Sequence, residues 1–275
     1  MISNAWTATK LSEFEQADGE TNLFAVPRFA SAAANSFFHH LVGALSIFIT
    51  TVNTAVFADN AAFVANKILQ KEIPYPKNFD PYIPLPDNPG PHLRQFNRVQ
   101  KALTEMIFIR LADNFTTYLL DVVAECVRAK PLALKSTKDQ ISTDVILDFE
   151  TMEELREYLI QRKLISFAYL GLDKQLNWLS ERLGVADLNE RECFPSLIDL
   201  VEARNCLVHG RGKIGEKYVQ MLAPYGGSAE VGQTVNLSMN DLFIAAKAGE
   251  EFVTYLDKML LEKFNLRAAD LFLWP

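Results

Sequence analysis

Three features of the chain point to an all-α protein. Apolar residues recur at three- and four-residue steps over long stretches, above all from Leu93 onward, the spacing that gathers them on one helix face. Hydroxyl or acidic residues head several of these stretches, and glycine or proline closes them. Strict alternation is confined to residues 230–237 around Gly232. The expectation is a helical bundle with an additional N-terminal helical segment and room for one small β-hairpin.

In chain order, residues 1–35 show no periodicity, carry Asp18-Gly19-Glu20 and Pro27, and read as an arm or irregular layer. Ser36 is a candidate start for the next element. From Phe37 to about Lys71 the chain is rich in alanine, valine, isoleucine and phenylalanine, without proline and with Gly43 as its one glycine. Length favours a single long helix, although Phe48-Ile49-Thr50-Thr51-Val52 is β-branched enough for a strand. Residues 41–64 are long enough to span a bilayer. Asp59 within them would be costly in lipid, so a helix buried in the protein or packed on a partner is the stronger reading, with no membrane expected. Pro74, Pro76, Pro81, Pro84, Pro86, Pro89 and Pro91 then form a proline-rich connector. It is either a domain boundary or a strap packed by Tyr75, Phe79, Tyr82 and Ile83. The chain thus divides into residues 1–91, with arm, long apolar helix and strap, and residues 92–275, a helical domain.

From Leu93 to about Lys130, Phe96, Val99, Leu103, Met106, Ile107, Leu111, Phe115, Leu119, Val122 and Cys126 mark a long helix, with Asp113-Asn114 as a candidate bend. Residues 131–149 read as a polar connector. Thr151-Met152-Glu153-Glu154 is a capping box that opens a helix to about Ala168. Asp173 is the candidate cap of the next, with Leu176, Leu179 and Leu183 buried and Gly184 as its left-handed stop. Pro195 suits a first helical turn. From there Leu197, Ile198, Val201 and Val208 face the core, and Gly210 ends the helix. Ser238-Met239-Asn240-Asp241 opens a last long helix, and the apolar tail 271–275 is expected to dock on the body or on a second subunit.

Composition limits the function classes. The net charge of −7 provides no global field for nucleic acid, so any RNA binding must rest on a local basic patch, and DNA is not expected. Cys126, Cys193 and Cys206 lack C-x-x-C spacing and read as reduced thiols of a cytoplasmic protein. The N-terminus lacks the pattern of a secretory signal. With four histidines in the chain, a multi-histidine metal site has little to draw on, and neither metal nor cofactor is expected. The adjacent His39 and His40 point to different faces of their helix and read as half-buried.

The most informative stretch is 202–217. Asn205 and His209 are four residues apart and stack on one helix face, with Arg204 close enough to reach the same side. Histidine is suited to proton transfer near neutral pH, and arginine to holding a phosphate. Beyond Gly210, Arg211, Lys213 and Lys217 are either a phosphate track or a solvated basic turn. On composition alone, Arg204 has Glu202, Glu190 and Glu192 as salt-bridge candidates, and His209 is a helix-end residue bonding the last carbonyls.

The run Arg204-Asn205-Cys206-Leu207-Val208-His209 resembles the signature of the HEPN superfamily, an arginine followed four to six residues later by histidine on a late helix that stops abruptly. The similarity covers about residues 93–264. It implies an HEPN-like bundle and a metal-independent endoribonuclease, acting as a homodimer whose two motifs face one cleft. His209 would be the general acid or base, Arg204 the phosphate clamp and Asn205 the orienting residue. It also implies toxin–antitoxin or antiviral defence as a setting, with an antitoxin-like protein partner. Other members of the superfamily are non-catalytic modules that bind RNA or protein.

Overall fold

Ser31 begins the first long helix because a residue near the other end of the chain holds it there. In this computed structural model, which describes residues 29–71, 90–135 and 140–270, Ser31 is the N-cap of α1 (Ala32–Leu69), its hydroxyl accepting from the Ala34 amide at 3.1 Å. The Ser31 amide donates to the Asp257 carboxylate at 3.0 Å, and the Ser31 hydroxyl donates to the same group. Glu125 accepts from the Ala33 amide at 2.7 Å. α1 has no acid in its own first turn, so two carboxylates from elsewhere supply the negative charge that a helix N-terminus favours. Burial pushes both carboxyls above their ordinary range. The helix therefore starts at Ser31 and not near Ser36. Phe48–Val52 lies inside it, and its β-branched residues do not form a strand.

α2 (Pro91–Ala129) is 39 residues long, and α1 lies along it as its most extensive neighbour among the described elements. Pro91 occupies the first turn. The amides of His92 and Leu93 donate to the two oxygens of Asp59 at 3.0 and 2.7 Å. Asp59, the charge that stands out in the apolar helix, is 4% exposed and serves as the N-terminal cap of the next helix. By length and composition α1 could cross a bilayer, and 28% of its most apolar 18-residue window is buried. The proline-rich connector, apart from Pro91, and the tail 271–275 lie outside the described residues.

The remaining helices close around α2. They are α3 (Thr143–Leu147), α4 (Met152–Ala168), α5 (Leu172–Trp178), α6 (Phe194–His209), α7 (Glu216–Leu222) and α8 (Met239–Phe264). α4, α6 and α8 pack directly on α2. Both hydroxyl-headed starts form full capping boxes, Thr151 with Glu154 and Ser238 with Asp241. The cap of α5 is Gly171, with Asp173 inside the first turn. α5 runs into a π turn over Leu179–Leu183 that stops at Gly184 with φ +63°. Within the expected connector 131–149, residues Pro131–Leu134 form a 3-10 turn and α3 follows. The chain is mostly helical. Its strands among the described residues are the two-residue pair β1 (Phe29–Ala30) and β2 (Ala269–Asp270), antiparallel with Ala30 opposite Ala269.

Residues 230–237 form no hairpin. Gln233, Thr234 and Val235 pair instead with the run after α6: the Ile214 amide donates to the Gln233 carbonyl at 2.9 Å and the Val235 amide to the Gly212 carbonyl at 2.8 Å. The alternation in the sequence reflects Val235 turned into the core while its neighbours face out. Asp113-Asn114 does not interrupt the helix either. α2 continues through it, with the side-chain Nδ2 of Asn114 donating to the Phe37 carbonyl of α1 at 2.9 Å. Val99, Met106 and Val208, placed on apolar faces by their spacing, are exposed.

The core joins Phe37, Phe38, Phe48, Phe108, Phe115, Leu119 and Phe252 from α1, α2 and α8, with Phe115 and Phe252 edge to face at 5.6 Å. Tyr118 sits among them 1% exposed, its hydroxyl without a hydrogen-bond partner among the described residues. Tyr118→Phe keeps the ring and removes a buried hydroxyl, and is expected to raise stability by about 1 kcal/mol. Urea unfolding measures this; a loss of similar size would show that the hydroxyl is satisfied by a buried water.

Candidate functional site

α6 buries Phe194, Leu197, Ile198, Leu200, Ala203 and Cys206. That face fixes the opposite one: Arg204 and Asn205 are half-buried at the surface and His209 is exposed in the last turn. The helix stops because the Gly210 and Gly212 amides both turn back to the Cys206 carbonyl at 2.9 Å. A Cβ on Gly210 would lie 2.8 Å from the Lys213 carbonyl oxygen, so a side chain there would push the basic loop away from the helix end.

Arg204 does not pair with Glu202, Glu190 or Glu192. Its Nε and Nη2 approach Asp113 Oδ1 of α2 at 2.9 and 2.8 Å, and its Nη1 donates to Asn205 Oδ1 at 3.2 Å. Asn205 thus orients the arginine. Nε and Nη1 donate hydrogen bonds and Nη2 makes an ion-pair contact, which leaves N–H groups on both terminal nitrogens for a ligand. Glu202 is 3% exposed, and its Oε1 accepts from Lys217 Nζ at 2.5 Å.

These groups meet at a cavity of about 490 Å³ between α2, the α4–α5 turn and α6. Arg204, Asn205, His209, Glu202, Lys217 and Tyr169 line it. The cavity has two cationic side chains, each held by a carboxylate, a histidine whose ring makes no hydrogen bond among the described residues, and an aromatic ring at its rim, Tyr169, that is 88% exposed. Such a site can hold an anion and move a proton.

Of the residues expected to form a phosphate track, Lys217 reaches the cavity. Lys213 donates to Thr234 Oγ1 at 2.8 Å, which ties the loop to residues 230–235. Arg211 is exposed beyond the helix end with φ +51°. Asp113 was not legible as a site residue, because its partner is 91 positions away; the one available signal was an acid in the middle of a long apolar helix. Tyr169 carried no signal beyond its place in the turn before Gly171. The three cysteines are free and buried, with Cys126 pushed up to about 12 by burial. Comparisons of the chain with family models, curated proteins and solved structures find no match.

Proposed function

We propose that the protein is a metal-independent endoribonuclease of the HEPN type, acting in the cytoplasm as a homodimer. The observation that carries this reading is Arg204, clamped by Asp113 and Asn205 with donors left over, on the wall of a cavity it shares with His209. Arg204 holds the scissile phosphate and neutralises the charge that grows on its oxygens. His209 takes the proton of the RNA 2′-hydroxyl as O2′ bonds to phosphorus. The bond from phosphorus to O5′ breaks, and O5′ takes a proton from the His209 of a second copy. One product ends in a 2′,3′-cyclic phosphate and the other in a free 5′-hydroxyl. Exposure of His209 leaves room for the second copy to approach. A toxin–antitoxin or antiviral role fits an enzyme of this chemistry, with an antitoxin-like protein as its restraint.

The test is incubation of single-stranded RNA with the protein in EDTA, with products identified by their termini. Wild type is expected to leave cyclic phosphates, and His209→Ala to leave the RNA intact. Cleavage that needs metal, or that survives in His209→Ala, would sink the proposal. The closure of Arg204 on Asp113 also supports a second reading, a non-catalytic module binding RNA or protein in which the pair fastens α6 to α2. Bound but uncut RNA in the same assay would select it.

A further inference from the structure

On the other flank of α2 lies a second cationic cluster that the cavity at Arg204 does not use. Arg110 Nη2 stands 3.3 Å from His40 Nδ1, and the rings of His39 and His40 meet edge to face at 5.8 Å. All three side chains are exposed, so none is there to fill the core. Arg110 forms no ion pair with a described carboxylate, and its neighbour one turn on, Asp113, is engaged by Arg204. Because Nδ1 of His40 faces the guanidinium, the neutral ring carries its proton on Nε2 and presents a donor. Arg110 and His40, two groups able to carry positive charge, face each other in a protein of net charge −7. Such crowding is unfavourable without an anion and is relieved by one.

Placement ties this cluster to the site. Arg110 and Asp113 are neighbours across one turn, with Cβ atoms about 5–6 Å apart, on opposite sides of the exposed crest of α2. The two guanidinium groups therefore stand over neighbouring positions of the same helix, one at Arg110 and the other held on Asp113. The cluster stands at one end of a groove of about 1070 Å³ between α1 and α2, whose walls are mainly apolar: Gly43, Ala44, Ile47, Phe96, Val99 and Ile107.

We propose that Arg110, with His40 and His39, binds a second phosphate of the RNA strand, a nucleotide or two from the scissile one, so that the strand crosses the crest of α2. This rests on the ribonuclease reading and gives it a substrate class. A single strand can bend over a helix crest and turn an unstacked base against the apolar groove, whereas a stiff duplex cannot follow that path. The cluster is a binding subsite, and the chemistry stays at Arg204 and His209.

The experiment compares wild type, Arg110→Ala and Arg110→Lys on two substrates, a labelled single-stranded dodecamer and a dinucleotide too short to span both sites. Binding of the dodecamer is followed by fluorescence anisotropy against salt, in a His209→Ala background so that the RNA survives. Arg110→Ala is expected to weaken dodecamer binding about 5–10-fold and to reduce the salt slope by about 0.7, the contribution of one single-strand phosphate contact. Arg110→Lys should recover the slope. Cleavage of the dinucleotide should be equal in wild type and Arg110→Ala, which also shows that the variant is folded. Wild-type cleavage with an unchanged slope in Arg110→Ala overturns the subsite and leaves the ribonuclease intact. Wild type that neither binds nor cuts RNA overturns both, and a dinucleotide rate that falls with Arg110→Ala overturns the separation of binding from chemistry.

Discussion

Arg204→Lys is expected to lower kcat/KM for RNA cleavage by about 10²–10³-fold, the usual effect of losing one transition-state donor, with little change in fold. Lysine keeps the charge and loses the planar fork. Arg204 uses one edge on Asp113 and one N–H on Asn205, and still has a donor on each terminal nitrogen for phosphate. A lysine drawn to Asp113 has its charge satisfied there and cannot serve both partners at fixed geometry. Stability should change by no more than about 1 kcal/mol, because the Arg204 and Asp113 side chains are 29% and 40% exposed and pairs of that kind are worth little in water. Steady-state cleavage alongside urea unfolding separates the two effects. Full activity in Arg204→Lys would mean that the fork is not used on the substrate, and that the pair serves to fasten α6 to α2.

Asp257→Ala is expected to cost about 2–3 kcal/mol. It leaves the amide and hydroxyl of Ser31, itself 0% exposed, without their acceptor and removes charge from the N-terminus of α1. Thermal unfolding should fall by on the order of 5–10 °C for a chain of this size. A drop below about 2 °C would show that Ser31 finds another acceptor. The same carboxylate sets a pH signature. Burial raises the pKa of Asp257 in the folded protein, so its contribution is fully present below the unfolded value of about 4 and is lost as pH rises through the folded value. Wild type should gain stability relative to Asp257→Asn as pH falls from neutral toward about 4. His40, lowered by partial loss of solvent and by Arg110, acts in the opposite sense as pH falls below its unfolded value, but it is common to both proteins and cancels in the difference. Glu157, held down to about 2 by its hydrogen bond to Arg128, also cancels and acts below the ordinary carboxylate range.

What could be read from the chain was local. Thr151 with Glu154, Ser238 with Asp241, and the stops at Gly184 and Gly210 depend on residues three or four apart, and the structure has all of them. The long apolar helix after Leu93 was equally legible, since its spacing repeats over many turns. What escaped depends on partners far away in sequence. Ser31 starts α1 because of Asp257, and Asp59 is buried in an apolar helix because it caps α2. Arg204 turns away from nearby Glu202 because Asp113 lies on the helix it packs against and Glu202 is taken by Lys217. The alternation at 230–237 was real, but its partner was the loop after α6. For the site, sequence supplied the residue types Arg204, Asn205 and His209. The carboxylates that hold the arginine and lysine in place became visible with the packing.

The bond from Ser31 to Asp257 spans 226 positions, which has a consequence for synthesis. At about 5–20 residues per second, α1 emerges on the order of tens of seconds before the carboxylate that anchors its N-cap. Throughout that interval α1, the most apolar of the described helices, lacks the anchor of its cap and its α8 neighbour, while α2 is already available to cover one side. The last long helix is thus the latch that closes the fold from the opposite end.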